Sequence, residues 1–334
     1  MKKLFSFAIL LVALVFAFAG CSNTPVPSTT ERWNAGETKR YEINLLTSDM
    51  ALSKGFNDPE TKQGDYYEYP KNAGVQVKPN DILDGSYMEY TISKEGSNWV
   101  FDLEMTVIQK YEAAEFVEGW EEKIPQENIV SKDSTFVTLK STMTSKAVFG
   151  SIKDGERPVS STKTVNSVVV FYNSDLKIDV DHNDFTTTAT YEESSVKSTF
   201  TDRAGNTGKP SEVTVNTGSG FIFDNEAMLL AIRSVDMVTL KEAGSTSLNF
   251  YNAIEQKTQK VTVAYISDSF TFNNTQEDAP KYMRVGCTPE GMGYPYYFYF
   301  EQQTKIAPPV PGDMINQYQL AEMNQGYMNF SLAA

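Results

Sequence analysis

NWVFDLEMTVI, residues Asn98–Ile108, puts Trp99, Phe101, Leu103, Met105 and Val107 on one face of an extended chain. Asn98, Asp102, Glu104 and Thr106 fall on the other face. Side chains of a strand alternate sides, so a period of two means one face in a core and one in water. A parallel sheet covered by helices would read apolar on both faces, so this pattern points to an antiparallel sheet.

The same alternation recurs outward in both directions. In STFVTLKSTMTSKAVF, Val137, Leu139, Met143, Ala147 and Phe149 oppose Thr138, Lys140, Thr142, Thr144 and Lys146. In SDLKIDVD, Leu176, Ile178 and Val180 oppose Asp175, Lys177, Asp179 and Asp181. Further strands are expected at Lys39–Thr47, Ser86–Ser93, Val165–Tyr172, Phe185–Tyr191, Val196–Asp202, Glu212–Asn216, Lys260–Ile266, Phe270–Asn274, Tyr282–Cys287, Tyr294–Gln302 and Tyr327–Leu332. KDGERP, DHND, DRAGNTG and NTGSG read as turns between them.

Two stretches read as helix. FDNEAMLLAIRSVDM offers Asp224 as N-cap and an apolar face of Met228, Leu229, Ile232 and Val235. IQKYEAAEFVEGWEEK groups Tyr111, Ala114, Phe116 and Trp120 near one side. Phe56–Asp84 has little periodicity and reads as a long loop or insertion. The expected fold is all-β or β-dominated: a large twisted antiparallel sheet, half-barrel-like, closed by one or two helices. Residues 33–334 are expected to form one large β-rich domain. A subdivision would fall near Gly150–Pro158, but strand patterning resumes at once.

The chain opens MKKLFSFAILLVALVFAFAGCS. Lys2 and Lys3 precede an apolar run that is short for a membrane span of about 20 residues, so residues 1–20 read as a secretory signal. Phe18-Ala19-Gly20-Cys21 resembles the lipobox of bacterial lipoproteins. The resemblance implies a diacylglyceryl thioether on Cys21 and cleavage after Gly20. It makes the protein a bacterial lipoprotein anchored to a membrane on its extracytoplasmic side. Two acyl chains hold a protein at a bilayer where one does not. Residues 21–32, polar and Pro-containing, read as a flexible tether.

Removal of Lys2 and Lys3 with the signal takes the formal charge from −14 to −16. So acidic a body does not suit nucleic acid. Cys287 is then the one cysteine not used for lipid, and reads as a small buried hydrophobe at a strand end.

The second half runs in a recognisable order: FIFDNEAMLLAIRSVDM, SLNFYNAIEQKTQKVTVAYI, YYFYFEQQ, IAPPVPG and GYMNFSL. Together with WNAGETKRYEI at Trp33–Ile43, this resembles an uncharacterised family of secreted bacterial β-rich domains, similar in turn to the LolA/LolB-like half-barrels that hold acyl chains. The resemblance implies a carrier fold and supplies no catalytic residue. TFTDRAGNTGKPSEVTVNTG at Thr199–Gly218 resembles the hairpin of bacterial immunoglobulin-like adhesion domains. Its residues alone read as a Gly-Asn hairpin turn.

Residues that carry chemistry are few. His182 is the single histidine, in a predicted turn, so a Ser-His-Asp site or a His/Cys zinc site has no second member. In DVDHND the oxygens of Asp179, Asp181, Asn183 and Asp184 suit calcium, but Asp184 stands where an EF-hand loop needs Gly, and Thr190 where it needs Glu. No metal, no cofactor and no catalytic residue is expected. A carboxylate-based hydrolase stays open, because its acids are paired in space rather than in sequence.

Tyr294–Phe300, YPYYFYF, is the aromatic summit of the chain. Tyr296, Phe298 and Phe300 point one way, Tyr297 and Tyr299 the other. A tyrosine hydroxyl needs water or a partner, so Tyr294, Tyr297 and Tyr299 are the candidate ligand-binding residues. The leading expectation is a non-enzymatic binder or carrier of a hydrophobic or amphiphilic ligand. The alternative is a surface adhesion or envelope-assembly module with immunoglobulin-like sandwiches. Cys21→Ala is expected to abolish metabolic labelling by a palmitate analogue and leave the precursor uncleaved. Labelled Cys21→Ala protein would contradict the lipobox reading.

Overall fold

In the computed structural model, which describes residues 35–46, 71–150, 157–204, 211–217, 223–224, 228–233, 235, 237–270, 281–290, 296–302, 318–325 and 327–333, the alternating stretch Asn98–Ile108 lies inside one long strand. Cys21, Tyr294, the signal and the tether lie outside the described residues.

Seventeen strands are described. The first ten are β1 (Glu37–Leu45), β2 (Asp81–Ile82), β3 (Tyr87–Glu95), β4 (Asn98–Glu112), β5 (Ile129–Lys132), β6 (Phe136–Gly150), β7 (Arg157–Tyr172), β8 (Ile178–Tyr191), β9 (Ser195–Asp202) and β10 (Ser211–Asn216). After β11 (Phe223–Asp224) come the helices α1 (Met228–Arg233) and α2 (Met237–Ala243). The chain ends in β12 (Ser245–Asn252), β13 (Lys257–Phe270), β14 (Tyr282–Pro289), β15 (Tyr296–Gln302), β16 (Tyr318–Gln325) and β17 (Met328–Leu332).

Hydrogen-bonded ladders join them into one sheet. Among the described residues, the order runs β10, β9, β8, β7, β6, β4, β3, β1, β17, β16, β15, β14, β13, β12, β11. The short strands β2 and β5 pair with β4 and β6. Every pair is antiparallel except β11 with β12. The large antiparallel sheet expected from the alternation is therefore present. The ladder also crosses the stretch near 150–158, where Gly150 pairs Arg157.

Most of the sheet is a hairpin meander, but its centre is not. Strand β1 pairs β3 on one edge, Tyr41 opposite Met88, and β17 on the other, Tyr41 opposite Leu332. Among the described residues, the only strand ladders that join the two halves of the chain are those of this N-terminal strand.

The inward residues behave as their alternation predicts. Phe101 and Phe149 are fully buried, and Trp99, Leu103, Met105, Met143 and Ala147 join the same core. So do Tyr41 and Ile43 of β1, Phe298 and Phe300 of β15, and Phe330 of β17. The helices supply Leu229, Ala231, Ile232 and Leu240 to this core. Gly244 ends α2 in the left-handed region at φ +78, and its N–H bonds the carbonyl of Leu240 at 2.8 Å, the usual glycine stop.

The two predicted helices need correction. The backbone of Asp224, the expected N-cap, closes β11 opposite Tyr251 in a parallel pair, and the helical stretch is described as two helices, α1 and α2. Ile108–Lys123 is not a helix. Its first residues extend β4, with Tyr111 opposite Val137 and Glu112 opposite Phe136. The chain then makes 3-10 turns at Ala113–Glu115 and Trp120–Lys123, with Gly119 left-handed at φ +74 between them. Partners on β6 outweigh helix propensity, and a left-handed glycine cannot continue a right-handed helix.

The turn predicted at DHND is also absent. Asp181, His182, Asn183 and Asp184 continue β8 opposite Val169, Val168, Ser167 and Asn166. The hairpin turns earlier, at Asn173–Lys177, where Asn173 Oδ1 accepts from the N–H groups of Asp175 and Lys177. Leu176, expected on the inner face of a strand, is the exposed left-handed residue of that turn at φ 57. The likewise predicted break between Ile266 and Phe270 is spanned by β13, which absorbs it as register shifts after Tyr265 and Ser267.

Beyond Asn166 the β7–β8 hairpin leaves β6, whose edge is taken by β5. Ser141 Oγ accepts the N–H of Val168 at the parting, 3.1 Å away. The far end of the hairpin carries Val168, Val170, Ile178 and Val180 onto Tyr111, Trp120, Val137 and Leu139. This second apolar cluster also takes in Val77, and the backbone of 74–77 runs along the hairpin through Val77 N–H to Val170 C=O at 2.9 Å.

Candidate functional site

Among the described residues, the two ends of this strand order, β8–β10 and β11–β12, overlap face to face. Strand β12 shows this most directly. Phe250 faces the main core, and Tyr251 faces the opposite way, yet both are 0% exposed. The second cover is the inner face of β8 and β9, through Ala189 and Val196, with Val215 of β10 alongside. Tyr251 Oη lies 2.7 Å from Ser198 Oγ, and its ring meets Tyr191 edge-on at 6.1 Å between centroids. Among the described residues no ladder and no backbone hydrogen bond crosses this overlap. The sheet is therefore rolled, with a seam closed by side chains.

Inside the roll the wall is aromatic. Tyr41 and Tyr90 stack at 6.2 Å, and Tyr90 meets Phe101 at 5.2 Å. Polar groups interrupt it at three places. Lys163 is 3% exposed on the inner face of β7, between Ser145 and Thr187 in register. Gln259 of β13 and Asn252 of β12 are buried near the seam. Tyr327 Oη accepts from Gln109 Nε2 at 2.7 Å and from Gln76 Nε2 at 3.0 Å, tying the end of β4 to the turn before β17.

The aromatic strand divides as its alternation predicts. Tyr296, Phe298 and Phe300 enter the main core. Tyr297 and Tyr299 lie on the other face, and both are buried. Arg284 of β14 lies against them, its guanidinium carbon 3.9 Å from the Tyr297 ring centroid and 5.8 Å from that of Tyr299. A cation over a desolvated ring face is attracted by the ring quadrupole, so this face is bound to its own arginine.

The remaining candidates resolve plainly. Cys287 is 0% exposed on the core face of β14, and burial drives its thiol pKa up, so it is an inert hydrophobe. His182 sits on β8 with Nε2 3.0 Å from Asn166 Oδ1, which also accepts from Asn128 Nδ2 at 2.8 Å. Burial lowers its pKa, opposed by the charges of Asp184, Glu127 and Asp202. Asp179 pairs with Lys123 at 2.5 Å, and Asp184 with Arg203 at 3.1 Å. Among the described residues no cluster of three His, Cys, Asp or Glu is placed to hold a metal.

On the outer face of β3, β4, β6 and β7 lies an open groove of about 580 Å³. Glu89, Asp102 and Glu104 line it with Lys146, Thr91, Thr144, Thr162 and Thr164. Glu89 pairs with Arg40 at 3.5 Å, Glu104 accepts from the Tyr87 hydroxyl, and Asp102 stands opposite Lys146 in register. These residues are the polar half of the alternation, so the groove is the solvated surface of the sheet.

The polar members of the interior were not among the sequence candidates. Their signal exists all the same. Gln259 and Lys163 each occupy a position where period two demands an apolar residue.

Burial raises the Tyr327 pKa from its ordinary 10 to about 12, opposed by the hydrogen bond from Gln109. With the folded value above the unfolded one, the stability this gives is complete below pH ~10 and is lost as pH climbs toward ~12, at roughly 1.4 kcal/mol per pH unit. Tyr327→Phe strips an acceptor from the buried amide of Gln109 and the half-buried amide of Gln76 and is expected to cost about 1–3 kcal/mol near pH 8. Urea midpoints measured from pH 8 to 12 are expected to fall more shallowly above pH 10 in this variant than in wild type. Parallel curves would contradict the assignment.

No family model matches the sequence, and no curated protein matches it. Among solved structures, the chain is similar to a beta-barrel-like protein of a domain of unknown function, DUF1849, from Brucella abortus. The two share 10% identity over 90% of this chain and 96% of that one, with a TM-score of 0.42.

Proposed function

We propose that this protein is an extracytoplasmic, membrane-tethered binding protein that carries an amphiphile inside its rolled sheet and exchanges it through the seam. The single observation behind this reading is that, among the described residues, no ladder closes the roll. A β-ladder adds a hydrogen bond at nearly every residue, each worth about 0.5–1.5 kcal/mol net. Across the seam the described closure is one hydroxyl pair, one ring pair and a small apolar patch. Of the joints around the roll, this is the one that parts at least cost. Opening it exposes an aromatic wall suited to an acyl chain.

The lipobox at Phe18–Cys21 supports an address at a membrane, where such cargo is found. Chemistry is not part of the proposal: His182 is held by Asn166 and Cys287 is buried. The continuous ladder across Gly150 and Arg157 favours one ligand-holding body over separate adhesion sandwiches.

Mass spectrometry of the protein purified from its native membrane without detergent exchange, followed by solvent extraction, is expected to release a stoichiometric amphiphile. Protein that yields none, and that takes up none when incubated with the extracted membrane lipids, would overturn the reading.

A further inference from the structure

Gln259 stands where β13 calls for an apolar side chain. Val261 and Val263 continue its face into the main core, and Phe250 is its register partner. It is 2% exposed, and neither Nε2 nor Oε1 has a hydrogen-bond partner. Asn252 lies on the same face of the next strand, two residues from Phe250, and is 1% exposed. Its Oδ1 accepts from the N–H groups of Ile254 and Glu255, which shapes the β12–β13 turn. Its Nδ2 has no partner.

Residues placed diagonally on one face of an antiparallel pair are about 7–8 Å apart, within joint reach of one small polar group. Each unpaired buried amide costs about 1–3 kcal/mol, and folded proteins do not leave such groups unsatisfied without a reason. Tyr251, which makes the seam contact with Ser198, lies between Phe250 and Asn252 in sequence. The two amides therefore lie on the inner face of the strand pair whose outer face, through Tyr251, makes the seam that the carrier reading opens.

We propose that Gln259 and Asn252 receive the polar end of the cargo, a neutral group that both donates and accepts hydrogen bonds, while its chain lies along the aromatic interior. Carboxamides offer donors and an acceptor and no charge. They match a hydroxyl or amide headgroup rather than a phosphate or carboxylate. This assignment rests on the carrier reading.

Retention of radiolabelled monoolein, oleate and hexadecane by the mature chain, followed by gel filtration, tests it. Wild type is expected to retain monoolein more tightly than oleate or hexadecane. Gln259→Leu is expected to lose about tenfold in monoolein affinity with hexadecane unchanged, a difference of about 1.4 kcal/mol. Its urea midpoint without ligand is expected to hold or rise, because an unpaired buried amide has been removed. Gln259→Met, closer in shape, guards against a folding defect and is expected to behave alike. Monoolein retention equal in wild type and both variants, or a wild-type preference for oleate, overturns this assignment and leaves the carrier reading standing. Wild-type protein that retains none of the three overturns both.

Discussion

Everything in this roll depends on the two ladders of strand β1. Its residues Glu37–Glu42 pair β3 on one edge and Tyr41–Leu45 pair β17 on the other. Remove it, and two meanders remain, each with a new free edge. The join is non-local in the extreme, since Tyr41 pairs with Met88 on one side and Leu332 on the other. Loop closure of that length slows folding, because its entropy is lost before the contact rewards it. Completion of the sheet therefore waits for the last strand of the chain. Tyr41 and Ile43 then carry the join into the core.

With β1 in place, twist does the rest. Strands rotate against their neighbours with a fixed hand, and a sheet of this width must curl or split. Here it curls until its ends overlap, with Tyr251 of β12 packed on Ala189 and Val196 of β8 and β9. A fully laddered barrel would have no joint cheaper than a strand pair. A roll has one, and local opening in proteins is drawn from such weakly held units. The buried amides of Gln259 and Asn252 place unsatisfied polarity on the inner face of β12 and β13, behind that joint.

The alternation of Asn98–Ile108 and its relatives made the antiparallel sheet legible, because one-sided burial writes itself into every second residue. It also assigned the faces of Tyr296–Phe300 correctly. Sequence misled where a local pattern met a stronger partner elsewhere. Tyr111 and Ala114 sat at helical spacing, but β6 offered Tyr111 a strand partner in Val137. Asp181–Asp184 read as a turn by composition, yet β7 runs opposite them and carries the strand through. The seam was not legible at all. Tyr251 reads as an outward residue beside Phe250, and only the overlap of the sheet's two ends buries it. Gln259 and Lys163 were legible in principle as polar residues in apolar positions, a mismatch that marks a site more often than a flaw.

Spin labels at Lys197 of β9 and Asn249 of β12, exposed positions on the two layers of the overlap, read the seam directly by pulsed dipolar distance measurement. The rolled sheet predicts one short, narrow distance in the empty protein. Addition of monoolein is expected to populate a second, longer distance as the layers part. A single distance, unchanged at saturating monoolein, would contradict a seam that opens for cargo.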